Sequence, residues 1–189
     1  STDSAKNSLQ YAVDFAASTQ SKVFVFRAYS APTKAGTIIN IDSIIERETN
    51  LYLKTLVASI DRKNVDISLV AAKGGTVDSV NALEKELGID LIIVGAKTNS
   101  IKEEVYLGKT AGSLVKQTNI PVLAVPDHYE FSPIKSMLMG FKSGKIENPK
   151  KLTMLEFFAK TFQPNINMLL VKTPGHHEED LILDPKLDA

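Results

Sequence analysis

Apolar residues recur along the chain in two alternating patterns, one typical of helices and the other of buried strands. Three- and four-residue spacings predict helices over 4–18, 42–60, 76–87 and 110–118. Short apolar runs between the helices predict strands near 23–28, 65–71, 90–94 and 121–125. Thr76 is the expected N-cap of the third helix and Gly88 its C-terminal stop. Because strands that alternate with helices form parallel sheets covered on both faces, we expect an α/β fold with an open parallel sheet.

The same order of elements starts again after residue 126. A charged, turn-rich linker occupies 127–133, and the residues after it predict a strand at 134–141, a helix at 150–162 and a strand at 166–174. The chain opens with a similar order, but no strand stands ahead of its first helix. We therefore expect a first domain over 1–126 and a partial second repeat with a tail over 134–189.

The first unit thus lacks a strand that its sheet needs, because a gap in a sheet leaves buried edges unpaired. Two explanations are open. The apolar run 134–141 fills the gap, in the same chain or in a partner, or the true first strand lies ahead of Ser1.

Composition narrows the class of protein. The 189 residues are 43% apolar, and 22 basic side chains balance 22 acidic ones, which argues against nucleic acid or a membrane surface as the main partner. No apolar run approaches the roughly 20 residues that span a bilayer, and the first ten residues do not resemble a signal peptide. The chain has no cysteine, which excludes thiol chemistry and fits the cytoplasm, where we expect the protein to be.

Gly108-Lys109-Thr110 has the ending of a phosphate-binding P-loop. The glycine that opens a P-loop would stand at position 103, but the residue there is Glu103, followed by Glu104. Two carboxylates would repel a triphosphate, and glutamate lacks the backbone freedom of glycine. The sequence therefore excludes a P-loop here.

The stretch 92–126 instead resembles the universal stress protein family. Nucleotide-binding members carry a glycine after the fourth strand, two residues, a second glycine, nine residues and a third glycine that opens the next helix. On this spacing Gly95 and Gly108 match, whereas Thr98 takes the place of the middle glycine. The closing Val125-Pro126 is also typical of the family's fifth strand. The resemblance implies a tandem member of the family, truncated at both ends.

The resemblance implies ATP or a related nucleotide as ligand. The residues that would hold it are Gly95, Lys97, Thr98, Gly108, Lys109 and Thr110. Gly95 would let the chain leave its strand sharply, and the start of a helix at Gly108 would offer N–H groups to phosphate. Thr98 stands where we expect a positive φ to be needed, which a β-branched residue disfavours. Restoring glycine at 98 is then expected to strengthen binding.

Three functions remain open after this comparison. One is a non-enzymatic stress-response protein that binds ATP in its first unit, and another is a dimeric interaction module that binds no nucleotide. The third is an ATP-hydrolysing enzyme, against which stands the lack of an identifiable base or metal-binding carboxylate near the loop. No nucleophile, base and orienting group can be assembled from the sequence, so we predict no catalytic residue. His176 and His177 are adjacent in the tail, and we predict no metal site there. The resemblance implies a homodimer formed through 121–126.

Overall fold

A computed structural model describes residues 2–30, 41–99, 104–141 and 152–170. The helices in these ranges are α1 (Thr2–Thr19), α2 (Ile41–Ala58), α3 (Thr76–Leu87), α4 (Gly108–Gln117) and α5 (Thr153–Phe162). The strands are β1 (Val23–Tyr29), β2 (Ile67–Lys73), β3 (Ile92–Asn99), β4 (Glu104–Tyr106), β5 (Val122–Pro126), β6 (Ser136–Phe141) and β7 (Asn165–Leu170). The chain forms two compact units, Ser1–Phe131 and Ser132–Ala189, and the boundary falls inside the predicted linker.

Two pairs of parallel strands form the sheet of the first unit. β1 runs parallel to β2, with Val23 opposite Ile67, and β3 runs parallel to β5, with Ile92 opposite Val122. β4 joins the other edge of β3 as an antiparallel strand. In the described part of the unit no ladder connects β1 to β3, so the parallel sheet consists of two halves.

Helices cover both faces of these strands, as the sequence predicts. One core cluster joins α1, α2 and β1, and Val25 is its buried β1 residue. The second cluster joins α3, α4, β3 and β5, and Phe26 of β1 packs against it. Because neighbouring residues of a strand point to opposite faces, the two clusters lie on opposite sides of the sheet. The α/β class with parallel strands is therefore confirmed.

The third predicted strand is longer than expected. It continues through Gly95 to Asn99 rather than ending at residue 94. The extension pairs with β4, a strand of three residues that the apolar pattern does not reveal. The expected stop of α3 at Gly88 is confirmed by its left-handed backbone, with φ of 65°. The N-cap of α3 is Gly75 rather than Thr76, which is the first helical residue.

The aromatic residues that follow β5 pack on α1. The Asn7 side-chain amide donates hydrogen bonds to the carbonyls of Pro126 and Tyr129, at 3.2 and 3.4 Å. The Tyr11 ring lies 6.2 Å from that of Tyr129 and 5.4 Å from that of Phe131. The first part of the predicted linker is therefore a packed piece of the first unit, because its aromatic side chains cover α1.

In the second unit, β6 pairs with β7 in parallel, from Ser136 opposite Asn165 to Phe141 opposite Leu170. The proposal that 134–141 fills the first sheet is therefore wrong for this structure. A strand that pairs with its own neighbour across a helix needs only a short loop closure, whereas pairing with the first sheet would break this ladder. The tail, including His176 and His177, lies outside the described residues.

Candidate functional site

The candidate site lies beyond the carboxyl ends of β3 and β5, where parallel α/β sheets bind ligands. Gly95 stands in β3 opposite Val125 of β5. A Cβ atom at Gly95 would lie 2.8 Å from Ser4 Oγ and 3.4 Å from Ser4 O. The absence of a side chain therefore lets α1 pack directly on β3. The expectation that the chain leaves its strand at Gly95 is wrong, because the β4 pairing prolongs β3.

Lys97 and Thr98 belong to this prolonged part of β3. Their partners across the β3–β4 hairpin are Tyr106 and Val105. A paired strand position suits a β-branched residue, so the expected need for a positive φ at Thr98 is wrong. Replacing Thr98 by glycine is now expected to weaken the hairpin instead of restoring a binding loop.

The hairpin leads the chain to the start of α4, two residues after Tyr106. Gly108 opens this helix with φ of 68°, a left-handed conformation that favours glycine. The N-cap residue Leu107 makes no side-chain hydrogen bond to the helix. The first N–H groups of a helix have no partner within it. Those of α4 therefore receive no cap from the Leu107 side chain, and they carry the positive end of the helix dipole.

The first turn of α4 is buried on the side that faces the sheet and exposed on the other side. Ala111 and Leu114 are buried, with 1% and 3% exposure, and fix the helix on the sheet. Lys109 and Thr110 are exposed, and the first turn contains no acidic residue. No ion pair to Lys109 occurs within the described ranges. The start of α4 is thus chemically suited to an anion.

The carboxyl end of the other half-sheet carries a different arrangement. Lys73, the last residue of β2, forms an ion pair with Asp42 of α2. Their hydrogen bond raises the pKa of Lys73 above its ordinary value, so the ammonium stays charged and paired. Sequence patterns do not reveal this pair, because 31 positions separate its members. Lys73 is consequently engaged with Asp42, whereas Lys109 has no ion-pair partner among the described residues.

Another polar group that the sequence does not reveal lies just after β5. The Oδ1 atom of Asp127 is buried and accepts no hydrogen bond from the described residues. Asp127 follows Pro126, whose carbonyl accepts a hydrogen bond from Asn7. The end of β5 therefore holds a hydrogen-bond acceptor, whereas the start of α4 presents hydrogen-bond donors.

The described residues contain no group of three or more histidine, cysteine, aspartate or glutamate side chains that would hold a metal ion. None of their helices is long and apolar enough to cross a membrane. Glu103, one of the two carboxylates that exclude a P-loop, lies outside the described ranges, and Glu104 pairs with Asn99 through the backbone.

Comparison with known proteins places the chain among relatives. The universal stress protein family matches residues 1–126. Universal stress protein G of Shigella flexneri and that of Escherichia coli O157:H7 are each 30% identical over 91 residues, which are 48% of this chain and 63% of the relative. The same protein of Salmonella typhimurium is 28% identical over the same share. The match thus spans less than two thirds of each relative.

Two solved structures are also similar to this chain. A universal stress protein from Archaeoglobus fulgidus has a TM-score of 0.46 and 20% identity, over 65% of this chain and 89% of its own. A universal stress protein in complex with cAMP has a TM-score of 0.43 and 22% identity, over 66% of this chain and 90% of its own. Because the family match covers two thirds of the sequence, the chain belongs to the universal stress protein family.

Proposed function

We propose that this chain is a non-enzymatic cytoplasmic stress-response protein whose first unit binds ATP or a related nucleotide. The observation that carries the proposal is the start of α4, where Gly108 has φ of 68° and the N-cap residue Leu107 makes no side-chain hydrogen bond to the helix. Phosphate would accept hydrogen bonds from the N–H groups of Gly108, Lys109 and Thr110.

Space and charge at this helix start support an anionic ligand. Among the described residues, no atom lies within 4 Å of a Cβ atom built at Gly108, so these residues leave room for a phosphate beside the helix start. The exposed Lys109 ammonium can add a charge-assisted contact. The first turn contains no acid that would oppose a phosphate.

The β3–β4 hairpin would form the other wall of the site. It places Lys97 opposite Tyr106, and Gly108 follows Tyr106 by two residues. The hairpin thus returns the chain from the carboxyl end of β3 to the helix that would hold phosphate. We propose Gly95, Lys97 and Thr98 as this wall, with Gly95 acting through the packing of α1.

Calorimetric titration with ATP tests the proposal, with adenosine and sodium triphosphate as separate probes. Gly108→Val should abolish ATP binding, because its side chain occupies the phosphate position and its backbone is strained. Gly112→Val is the matched control. It adds the same atoms to α4 at a place where no atom of the described residues lies within 4 Å of the new Cβ, one turn away from the helix start. Equal ATP binding by parent and Gly108→Val would exclude this site.

A second function, a dimeric interaction module, rests on the position of β5. In the described residues β5 pairs with β3 alone and forms the edge of its sheet. We propose that residues 121–126 pair with a second copy. Since Ile92 N donates to Pro121 O, the N–H group of Ala124 points to the free edge. Ala124→Pro should therefore yield monomers in light scattering without breaking the β3 ladder. A parent that is already monomeric at micromolar concentration would refute the dimer.

A further inference from the structure

Residues 127–131, which we call the strap, follow β5 and lie along α1. The chain turns directly after β5, where Tyr129 N donates a hydrogen bond to Pro126 O at 3.3 Å. The Asn7 side-chain amide donates to the carbonyls at both ends of this turn, Pro126 O at 3.2 Å and Tyr129 O at 3.4 Å. Typical N–H···O distances are about 2.7–3.2 Å, so these three bonds are long and hold the strap only weakly.

Aromatic contacts with α1 hold the strap more firmly. The Phe131 ring lies 5.4 Å from that of Tyr11 and 5.9 Å from that of Phe15, and it meets them at 87° and 89°. Aromatic rings prefer this edge-to-face arrangement. Tyr11 and Phe15 are buried, at 8% and 5% exposure, whereas Tyr129 is 55% exposed. Phe131 is therefore the main anchor of the strap, and lifting the strap would expose an aromatic surface of α1.

Two features of the docked strap oppose this hold. The Oδ1 atom of Asp127 is buried, and no described residue donates a hydrogen bond to it. That oxygen would regain water if the strap lifted, because burial without a partner costs a polar atom its hydration. His128 has φ of 64°, in the left-handed region, which a residue with a side chain adopts at a cost. Both costs belong to the docked position alone.

The strap also begins the stretch of chain that connects the two units. The first unit ends at Phe131, and β6 of the second unit begins at Ser136. While the strap is docked, the connection is residues 132–135, and a lifted strap extends it to 127–135. At about 3.3–3.6 Å per residue, the longest reach of the connection grows from roughly 13 Å to roughly 30 Å.

We propose that the strap lifts from α1 while the rest of the first unit stays folded, and that it thereby sets the length of free chain between the two units. The sheet need not change, because the β3–β5 ladder ends at Pro126, ahead of the strap. Phe131 stabilises the docked position, whereas hydration of Asp127 and relaxation of His128 stabilise the lifted one. Because the length of a tether sets the effective concentration at which two linked units meet a common partner, the strap would control joint binding by both units.

Hydrogen exchange by NMR tests the proposal in the 189-residue chain without any nucleotide, so its failure is separate from failure of the ATP site. The Tyr129 amide reports on the strap, because it donates inside the turn. The Val125 amide reports on the sheet. It faces β3, by the alternation that starts where Ile92 N donates to Pro121 O. Tyr129 should be protected relative to an unfolded peptide, but at least about tenfold less than Val125.

Two variants should move the strap in opposite directions. Asp127→Asn should raise the protection of the Tyr129 amide on the order of tenfold, because a neutral amide costs less to bury than a carboxylate. Phe131→Leu should lower it by about fivefold or more, because the edge-to-face contacts with Tyr11 and Phe15 are lost. Neither change should alter the protection of Val125, since the ladder lies ahead of the strap.

Asp90→Asn is the matched control for Asp127→Asn, because it removes the same charge from an exposed side chain. It should leave the protection of Tyr129 unchanged. Equal protection of Tyr129 and Val125 in the parent would overturn the proposal, since the strap would then lift only when the sheet opens. An unprotected Tyr129 amide would overturn it as well, because no docked position would exist. Equal effects of the two asparagine variants, or a Phe131→Leu variant that loosens Val125 as much as Tyr129, would also contradict it.

Discussion

Gly95→Ala should destabilise the first unit, because α1 occupies the space that a side chain would need. The added Cβ would lie 2.8 Å from Ser4 Oγ, which is 0.6 Å short of the 3.4 Å at which ordinary contact begins. Ser4 O at 3.4 Å and Ser8 Oγ at 3.5 Å are within ordinary contact, so the clash is with Ser4 Oγ alone. The Ser4 side chain must therefore change rotamer, or α1 must shift.

The expected loss is about 1 kcal/mol in the free energy of unfolding, the lower end of the range for overpacked sites, because one clashing atom can rotate. Urea unfolding monitored by circular dichroism measures it. Adding Ser4→Ala removes the clashing oxygen and should restore the stability of the parent or exceed it, because alanine suits a strand better than glycine does.

Gly112→Ala is the matched control for the added methyl group. It lies in α4, where the described residues place no atom within 4 Å of the new methyl group, so it should stabilise the protein by about 1 kcal/mol through helix propensity. Both changes add one methyl group. Opposite signs of the change in the free energy of unfolding at Gly95 and Gly112 would therefore follow only from the surroundings of the two residues. If Gly95→Ala is as stable as the parent, or if Ser4→Ala fails to rescue it, the close packing of α1 on β3 is refuted.

Three further changes probe other parts of the first unit. Lys109→Ala should weaken ATP binding by about 1–2 kcal/mol in calorimetry, and unchanged affinity would remove its ammonium from the site. Asn7→Ala should cost about 1 kcal/mol in urea unfolding, because Pro126 and Tyr129 lose a donor. Burial, and then Tyr129, raise the pKa of Tyr11 above 10.0, so its stabilising contribution is complete below pH 10.0 and is lost as pH rises through the folded value. The free energy of unfolding of Tyr11→Phe should therefore fall less steeply with rising pH in this alkaline range than that of the parent. An identical pH profile would contradict the burial effect.

Local patterns predict most of the first unit because its elements are strongly periodic. Val25 and Phe26 illustrate this, since adjacent apolar residues in one strand require cores on both faces, and both cores are present. The glycine stop at Gly88 is equally local, because its left-handed φ is a property of the chain itself.

The missed features depend on contacts between distant residues. β4 has three residues, too few to show a hydrophobic period. It is recognisable as a strand only through its pairing with the end of β3. The sequence identifies Gly95 but gives the wrong reason for it, since the close approach of Ser4 arises only when α1 packs on β3. The role of Asn7 is likewise a tertiary contact, made to a carbonyl 119 positions away.

The most direct test of the account follows the backbone amides of α4 by NMR while ATP is added to the 189-residue chain. We predict that the amide signals of Gly108, Lys109 and Thr110 shift in a saturable way and that those of Gly112 and α5 shift less. Sodium triphosphate should move the same three signals, because phosphate is the group they bind. Saturable ATP binding that leaves these three amides unmoved, or no shift at millimolar ATP in the folded protein, would contradict it.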